Sequence, residues 1–263
     1  MDPAPLQQEI NLSGKTAIVT GGAMGIGYGI AYRLAEAGAS VVVADMNKAA
    51  ADEAVVKLVA KGWKAIVIVV DVSDAAQVEQ MVEAATAAYG SVDILVNNAG
   101  IYPGKLVLEA TKEDFEKVIH TNLMGAFFAS KATARQMITQ GRGGKIINIT
   151  SIDALHPSSL GLAFYDASKH GLWGFTKNLA LELAPHKIWV NAIAPGGVNT
   201  PGTGAGSMTK EMQEALEPFI AKIPMRRMGE SDEIGKVALF LASDLSSYMT
   251  GSQVVVDGGV LLA

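Results

Sequence analysis

The fold of this chain is decided by the stretch Thr16-Ala-Ile-Val-Thr20, followed at once by Gly21-Gly-Ala-Met-Gly-Ile-Gly27. The first part is a short β-branched run that predicts a buried strand, and a helical pattern follows over residues 30–37. A strand that turns sharply into a helix presents free backbone N–H groups and the positive end of the helix dipole, which together suit a pyrophosphate. The candidate dinucleotide-binding residues of this turn are Gly21, Met24, Gly25, Ile26 and Gly27.

The spacing of these glycines is Gly-x-x-x-Gly-x-Gly, which differs from the Gly-x-Gly-x-x-Gly pattern of the common dinucleotide turn. A glycine-rich turn can also reverse the chain with no ligand, so the spacing alone leaves both uses open. Its position directly after the first predicted strand favours phosphate binding.

The rest of the chain alternates short apolar runs with longer alanine-rich stretches. Apolar strands that barely alternate are typical of a parallel sheet buried on both faces, and strand–helix alternation favours right-handed βαβ units. We therefore predict an α/β fold, a doubly wound parallel sheet of about seven strands of the Rossmann type, with helices on both faces. The predicted strands cover residues 16–20, 40–45, 65–71, 94–97, 145–150, 189–194 and 253–257.

We expect a single domain over residues 12–263, preceded by an N-terminal extension over residues 1–11. No linker-like change of composition divides the longer range. A substrate loop is predicted at about residues 196–222, where glycine, proline, serine and threonine are frequent before a short helical pattern. Such a stretch is typical of a mobile loop over a binding site.

The composition is that of a globular protein, since 49% of the 263 residues are hydrophobic and 18% are charged. The chain has no cysteine, which excludes disulfides, thiolate metal sites and a cysteine nucleophile. The 26 acidic residues outnumber the 21 basic ones, which argues against a nucleic-acid partner. No apolar run approaches the roughly 20 residues of a membrane span, and the first residues lack a signal-peptide pattern. We therefore expect a cytoplasmic protein with no membrane partner.

The second predicted strand ends at Asp45. A carboxylate at that edge can accept hydrogen bonds from both hydroxyls of a ribose, and it would repel the 2′-phosphate of NADP. Neither Met46 nor Met24 supplies a positive charge to bind such a phosphate. These residues predict NAD(H) as the cofactor, preferred over NADP(H), with Asp45 and Met46 at the adenosine ribose. A cap on the strand end is the alternative use of Asp45.

Two further strand ends point to the same crevice. Asp71 and Val72 close the third predicted strand and would hold the adenine, although an N-cap for the next helix by Ser73 or Asp74 is a competing use of that turn. The fourth predicted strand ends in the polar turn Asn97-Asn-Ala-Gly100. The candidate cofactor-binding residues here are Asp71, Val72, Asn98, Ala99 and Gly100.

Tyr165 and Lys169 stand four residues apart at the start of a helical pattern, so they share one helix face. An ammonium near a phenol favours the phenolate and lowers its pKa, which would let the phenol act as an acid or base near neutral pH. Ser151 ends the fifth predicted strand, at the sheet edge where ligands bind in such folds. Taken alone, a Tyr/Lys pair of this spacing is also common on solvated helix faces.

In their order and spacing, these motifs resemble those of the classical short-chain dehydrogenase/reductase family, from about residue 12 to residue 262. The resemblance is carried by Thr20-Gly-x-x-x-Gly-x-Gly27, Asp71, Asn97-Asn-Ala-Gly100, Asn122, Ser151, Tyr165-x-x-x-Lys169, Pro195-Gly-x-Val-x-Thr200 and Asp257-Gly-Gly259. It implies an oxidoreductase that transfers a hydride between NAD(H) and a secondary alcohol or ketone, as an alcohol dehydrogenase or carbonyl reductase.

The resemblance also implies a role for each matched residue. Tyr165 would be the general acid/base, and Lys169 would lower its pKa and bind the nicotinamide ribose. Ser151 would hold the substrate oxygen, and Asn122 would support a water in a proton relay. The loop beside the nicotinamide would supply Pro195, Gly196, Val198 and Thr200.

The substrate pocket is expected to be lined by the segment 152–164, by Ile101 and Tyr102, and by the loop from Gly197. The candidate residues include Asp153, His156, Phe164 and Met208. Their mixture of polar and apolar groups allows a polyol, a sugar, a hydroxy-ketone, or a cyclic or aryl alcohol. The histidine and acidic residues nearby lack metal-ligand spacing, so no metal site is predicted.

Two alternatives stay open at this point. A 3-oxoacyl-[acyl-carrier-protein] reductase is the alternative enzyme, although the family resemblance leads us to expect basic residues near the glycine turn in such NADPH enzymes, and this chain has none there. The alternative of another class is a non-catalytic dinucleotide-binding sensor, against which the complete set of four catalytic positions argues. The resemblance further implies a homotetramer formed through the helices predicted at 111–139 and 163–184 and the C-terminal strand.

Overall fold

The computed structural model describes residues 4–203 and 210–263, and its centre is a seven-stranded parallel sheet. The strands are β1 (Thr16–Thr20), β2 (Ser40–Asp45), β3 (Ala65–Val69), β4 (Ile94–Asn97), β5 (Gly144–Ile149), β6 (Ile188–Pro195) and β7 (Gln253–Val256). Their order in the sheet is β3-β2-β1-β4-β5-β6-β7. The predicted doubly wound fold is confirmed, and the order reverses beside β1, where a crevice for ligands opens in such sheets.

The helices lie on both faces of this sheet, as predicted. The helices of two turns or more are α1 (Gly25–Glu36), α2 (Lys48–Val59), α3 (Ala75–Tyr89), α4 (Lys112–Ile119), α5 (Gly125–Gln140), α6 (Ala163–Leu183), α7 (Lys210–Lys222) and α8 (Ser231–Ala242). Within the expected N-terminal extension, Leu6–Glu9 forms one helical turn. No helix in the described ranges is long and apolar enough to cross a membrane.

The strands β1 to β6 contribute to two cores because their side chains alternate between the faces. Val19 and Val43 pack in the core that includes Leu34 of α1, whereas their neighbours Ile18 and Val42 pack in the opposite core. All of these side chains are fully buried. This burial on both faces explains why the strands read as continuous apolar runs in the sequence.

Two predicted boundaries around the glycine turn and the third strand are wrong. The helix expected over residues 30–37 already begins at Gly25, so its first turn lies next to the glycines. The third strand ends at Val69, before Asp71, whose Oδ1 accepts hydrogen bonds from the backbone N–H and the hydroxyl of Ser73 at 2.9 and 2.7 Å. Asp74 is the N-cap of α3, as in the alternative that the sequence offered for this turn.

The helix predicted over residues 111–139 is present from residue 112 to residue 140, but it is not α-helical throughout. It starts one residue later with a capping box in which Asp114 Oδ2 accepts the backbone N–H of Thr111 at 2.8 Å. A π-helical turn, His120–Met124, then separates α4 from α5. Such π turns widen the helix locally and recur at functional sites. Here the turn contains Asn122.

The predicted substrate loop begins with a short pairing of Val198–Asn199 with Gly229–Glu230. A single 3₁₀ turn, Pro201–Thr203, follows, and α7 forms its last part. Residues 204–209 of this loop lie outside the described residues.

Candidate active site

A cavity of about 770 Å³ opens at the carboxyl ends of the central strands. It brings together most of the residues that the sequence placed at a cofactor and a substrate. The predicted residues in its wall are Gly21, Met24, Gly25, Ile26, Gly27, Asp45, Met46, Asp71, Val72, Asn98, Ala99, Gly100, Ile101, Ser151, Asp153, Tyr165, Lys169, Pro195, Gly196, Gly197, Val198 and Thr200.

The glycine turn at the floor of the cavity is closely packed against the end of β4. Gly21 has a φ of +60°, and a Cβ there would lie 2.9 Å from the Cα of Ala99. A Cβ on Gly27 would overlap the carbonyl oxygen of Gly21. The hydroxyl of Thr20 accepts the backbone N–H groups of Asn98 and Ala99 at 3.0 and 3.1 Å, which fixes the two turns together. This close approach is what a pyrophosphate against the backbone requires.

The first turn of α1 points its backbone N–H groups toward this cavity. Met24, the N-cap residue, makes no side-chain hydrogen bond to them. The N–H groups at a helix start have no partner within the helix, so a phosphate oxygen is a suitable acceptor. The turn therefore fits the diphosphate of a dinucleotide.

Asp45 is held at the adenosine end of the cavity by two backbone hydrogen bonds. Its Oδ2 accepts the N–H of Ala23 at 3.1 Å, and its Oδ1 accepts the N–H of Asn47 at 3.0 Å. The side chain is half-buried, and its neighbour Met46 is 72% exposed. The lysines of the wall, Lys117 and Lys169, come from α4 and α6 and not from this end of the sheet. The carboxylate thus sets a negative charge in the cavity wall at the end of β2.

Lys169 lies between β5 and the catalytic tyrosine candidate. Its Nζ donates a hydrogen bond of 2.8 Å to the carbonyl oxygen of Ile149, the last residue of β5, and lies 5.5 Å from the centre of the Tyr165 ring. Burial lowers the pKa of Lys169 to about 8, and Asp153 acts in the opposite direction. The helix that carries both residues is therefore fastened to the sheet edge through the lysine.

The pKa of Tyr165 differs from the simple expectation of a lowered value. Burial raises the pKa of this phenol above its ordinary value of 10, and a hydrogen bond with Ser151 lowers it by less. The charge of Asp153 and the neighbouring Tyr102 raise it further. The loss of hydration thus outweighs the hydrogen bond with Ser151, and in the protein alone the phenol keeps its proton at neutral pH.

Ser151 stands where β5 ends, and its side chain is buried. The hydroxyl donates a hydrogen bond of 2.8 Å to Oδ2 of Asp153 and accepts the backbone N–H of Asp153 at 3.1 Å. Together with the interaction of Ser151 with Tyr165, this forms a chain of polar groups from the phenol to the carboxylate. Sequence reasoning placed Asp153 in the pocket but did not predict its contact with Ser151.

Asn122 in the π turn contacts the loop after β4 rather than the cavity itself. Its Oδ1 accepts the N–H of Ile101 at 2.8 Å, while its Nδ2 donates to the carbonyl oxygen of Ile101 at 2.9 Å and to the hydroxyl of Ser168 at 3.0 Å. A Cβ on Gly100 would lie 3.2 Å from this Oδ1 and 3.6 Å from Nζ of Lys169. The asparagine is therefore a neighbour of the lysine.

Comparison with known proteins adds to this geometry. A family model described as enoyl-(acyl carrier protein) reductase matches residues 21–261. The crystal structure of a short-chain type dehydrogenase/reductase from Mycobacterium marinum superimposes with a TM-score of 0.92 at 36% identity, over 98% of this chain and 100% of that one. The chain belongs to the short-chain dehydrogenase/reductase family. It is therefore an oxidoreductase of a family that binds nicotinamide dinucleotides.

Other members of the family resemble this chain to a similar degree. The 3-oxoacyl-[acyl-carrier-protein] reductase of Thermotoga maritima is 39% identical over 96% of this chain and 100% of its own length. The structure of a gluconate 5-dehydrogenase from Burkholderia cenocepacia, in complex with NADP and tartrate, has a TM-score of 0.89 at 34% identity, over 98% of this chain and 100% of that one. Sequence and structural similarity thus identify the family of this chain but not its substrate.

Two residues that the sequence predicts in the substrate pocket do not line the cavity. His156 is exposed, and its Nδ1 lies 2.9 Å from the carbonyl oxygen of Pro157. Phe164 packs edge-on against Phe115, with 5.3 Å between ring centres. Neither contributes to the cavity. Met208, which the sequence also places near the pocket, lies outside the described residues.

Some wall residues of this protein were not predicted to line its site. Three of them come from α4 and from the π turn: Lys117, His120 and Thr121. Nothing in their sequence pattern distinguishes them from ordinary helix and loop residues. Ser158 and Leu162 of the predicted pocket segment and Phe219 of the predicted substrate loop also line the cavity. Within the described ranges, no three histidine, aspartate or glutamate side chains cluster in a way that could hold a metal ion.

Proposed function

We propose that this chain is an NAD(H)-dependent oxidoreductase that converts a secondary alcohol to a ketone and back. One observation carries the proposal. Ser151, Tyr165 and Lys169 converge in the wall of the same cavity as the glycine turn and Asp45. A dinucleotide bound in that cavity supplies the acceptor or donor of the hydride.

The chain's own residues would handle the proton and the substrate oxygen. Tyr165 gives its phenolic proton to the oxygen of a ketone. In the opposite direction its phenolate, which the positive charges of Lys169 and of a bound nicotinamide would favour, takes the hydroxyl proton of an alcohol. Ser151 would turn its hydroxyl proton from Asp153 to that oxygen and hold it by a hydrogen bond. Lys169 fixes the phenol and would contact the nicotinamide ribose, while Asn122 would hold a water of the proton path beside the lysine. The buried setting strengthens each of these polar contacts.

The preference for NAD(H) over NADP(H) is supported by Asp45. The carboxylate is fixed by the N–H groups of Ala23 and Asn47, so it cannot easily turn away from a 2′-phosphate. A member of the family that is similar to this chain was crystallised with NADP. The preference therefore needs a direct measurement, the ratio of kcat/KM with NAD⁺ to that with NADP⁺.

The second candidate is a reductase of 3-oxoacyl thioesters on a carrier protein, which the similarity to the Thermotoga maritima reductase favours. An acidic carrier protein would need free basic groups near the pocket. Arg227 is paired with Glu233 at 2.7 Å, and the guanidinium of Arg226 donates to the carbonyl oxygen of Ala221. These contacts make the pair a poor docking surface, so the alcohol or ketone substrate is preferred.

One experiment tests the proposed function. A panel of secondary alcohols, sugars and diols is offered with NAD⁺, the matching ketones and acetoacetyl thioesters are offered with NADH, and the absorbance of NADH is followed. Turnover of alcohols or ketones that Tyr165→Phe abolishes supports the proposal. Turnover of the thioester alone would favour the second candidate.

The proposal includes a homotetramer and a cytoplasmic location. α5 and α6 expose apolar side chains, among them Phe127, Ile138 and Leu181, that a subunit contact would cover. Light scattering on the purified protein measures the subunit number directly. A monomer at micromolar concentration would contradict this part of the proposal.

A further inference from the structure

Asp153 is a buried carboxylate in the wall of the active-site cavity. It lies in the 3₁₀ turn Ile152–Ala154, directly after β5, and only 5% of it is exposed. Its Oδ2 accepts the hydroxyl of Ser151 at 2.8 Å, and its Oδ1 accepts the backbone N–H of Ser158 at 2.9 Å. Both oxygens are thus fixed in place beside the residue that would hold the substrate oxygen.

The charge of Asp153 is only partly balanced. Within the described ranges, no lysine, arginine or histidine forms an ion pair with it. An ionised carboxylate can accept about four hydrogen bonds, and this one accepts two from side chain and backbone donors outside its own residue. A buried carboxylate with acceptor capacity left over is stabilised by a further donor from the cavity.

The spacing of Ser151 and Asp153 matches the spacing of two hydroxyl groups on neighbouring carbons of a substrate. Oxygens on neighbouring carbons of a gauche diol lie at hydrogen-bonding distance from each other. The Ser151 hydroxyl and Oδ2 of Asp153 have a similar separation, 2.8 Å. A substrate oxygen bound by Ser151 and Tyr165 therefore brings the hydroxyl of the next carbon close to the carboxylate.

We infer that Asp153 determines specificity by accepting a hydrogen bond from a second hydroxyl, on the carbon next to the reacting one. The substrate is accordingly an uncharged vicinal diol, polyol or α-hydroxy-ketone. This inference rests on the proposed function and narrows its substrate class. A simple alcohol or an acyl thioester lacks the donor, and a carboxylate on the neighbouring carbon would be repelled by the charge of Asp153.

The test compares three substrates of one ring size: the vicinal cyclohexanediol, its monomethyl ether and cyclohexanol. Hydrogen bonds to a charged group contribute about 1.5–3 kcal/mol, so we expect kcat/KM for the diol to exceed that for the ether by about 10- to 100-fold. In Asp153→Leu this ratio should fall to near one, and in Asp153→Asn to an intermediate value. Glu109→Gln, which removes an exposed carboxylate, is the matched control and should keep the wild-type ratio.

A binding measurement keeps the inference separate from turnover. In Tyr165→Phe protein with NAD⁺, the diol should raise the melting temperature more than the ether does, and adding Asp153→Leu should remove that difference. If the diol stabilises the protein more than the ether does, but the wild type turns over no alcohol or ketone, the role of Asp153 stands and the proposed function is overturned. Equal turnover of diol, ether and cyclohexanol by the wild type would overturn the inference and leave the proposed function standing. If Asp153→Leu does not fold, an unchanged ratio in Asp153→Asn also overturns it.

Discussion

The Nζ atom of Lys169 lies 5.5 Å from the centre of the Tyr165 ring while it donates a hydrogen bond of 2.8 Å to the carbonyl oxygen of Ile149. The lysine thus connects the helix that carries the tyrosine to the end of β5. Lys169 is buried and Tyr165 is partly buried, and this loss of hydration raises the pKa of Tyr165 and lowers that of Lys169. Desolvation therefore disfavours the charged form of each.

Tyr165→Phe removes the phenolic O–H and keeps the ring. General acid–base catalysis contributes about 100- to 10,000-fold, so we expect kcat to fall by that factor. NADH binding, measured by fluorescence titration, should stay nearly unchanged because the dinucleotide turn is untouched. Tyr89→Phe, at the end of α3, is the control for loss of a phenol elsewhere. Wild-type turnover by the Tyr165→Phe variant would contradict the acid–base role.

Lys169→Met should change how stability depends on pH. Burial lowers the pKa of Lys169 from 10.5 to about 8. Between those values the unfolded chain binds more protons than the folded protein, so this group makes the free energy of unfolding rise with pH there. Relative to Lys169→Met, the wild type should gain at most about 3 kcal/mol from below pH 8 to pH 10.5. Below pH 8 the methionine variant should be the more stable of the two.

The measurement is urea unfolding of both proteins at several pH values across this window. Lys57→Met, an exposed lysine of α2, controls for the loss of a positive charge. Its curve should run parallel to that of the wild type. A parallel curve for Lys169→Met as well would show that the lysine keeps an ordinary pKa.

Gly27→Ala should abolish dinucleotide binding and destabilise the protein. Its Cβ would overlap the carbonyl oxygen of Gly21, and neither backbone can move without separating α1 from β1. Overpacking of this kind costs about 1–3 kcal/mol. Calorimetric titration with NADH and thermal unfolding measure the two effects. Gly104→Ala, where a Cβ would meet nothing within 4 Å, is the matched control and should bind NADH normally.

The sheet and its dinucleotide turn could be predicted because each depends on local signals. The apolar runs of strands buried on both faces and the glycines after β1 can each be recognised from a few consecutive residues. The π turn His120–Met124 could not be predicted in this way. Its five residues continue a helical pattern, and the contacts made there, such as that of Asn122 with Ile101, join groups that are distant in the sequence.

The substrate side of the site was the least predictable part. Phe164 and Leu162 are both apolar and stand two residues apart, yet Leu162 lines the cavity and Phe164 turns to Phe115. The direction of each side chain depends on where α6 begins, which composition does not fix. The direction of the pKa shift of Tyr165 could not be predicted from the sequence either, since it depends on how deeply the phenol is buried.

Asp45→Ser tests the cofactor preference. Removing the carboxylate deletes both the acceptor for the ribose hydroxyls and the charge that would repel a 2′-phosphate. We expect the ratio of kcat/KM with NAD⁺ to that with NADP⁺ to fall by about 10- to 100-fold, as for the loss of hydrogen bonds to a charged group. Initial rates with both cofactors on one substrate give this ratio.

Two variants separate the charge of Asp45 from its structural contacts. Asp45→Asn removes the charge and keeps one oxygen that can accept the N–H of Ala23, while the bond from Asn47 is lost. Its ratio should therefore fall, and its melting temperature should fall less than that of Asp45→Ser. Asp52→Asn, an exposed carboxylate paired with Lys48 on α2, should change neither quantity. If Asp45→Asn and Asp45→Ser lose stability but keep the wild-type cofactor ratio, Asp45 acts only as a cap on the end of β2, and the predicted NAD(H) preference is wrong.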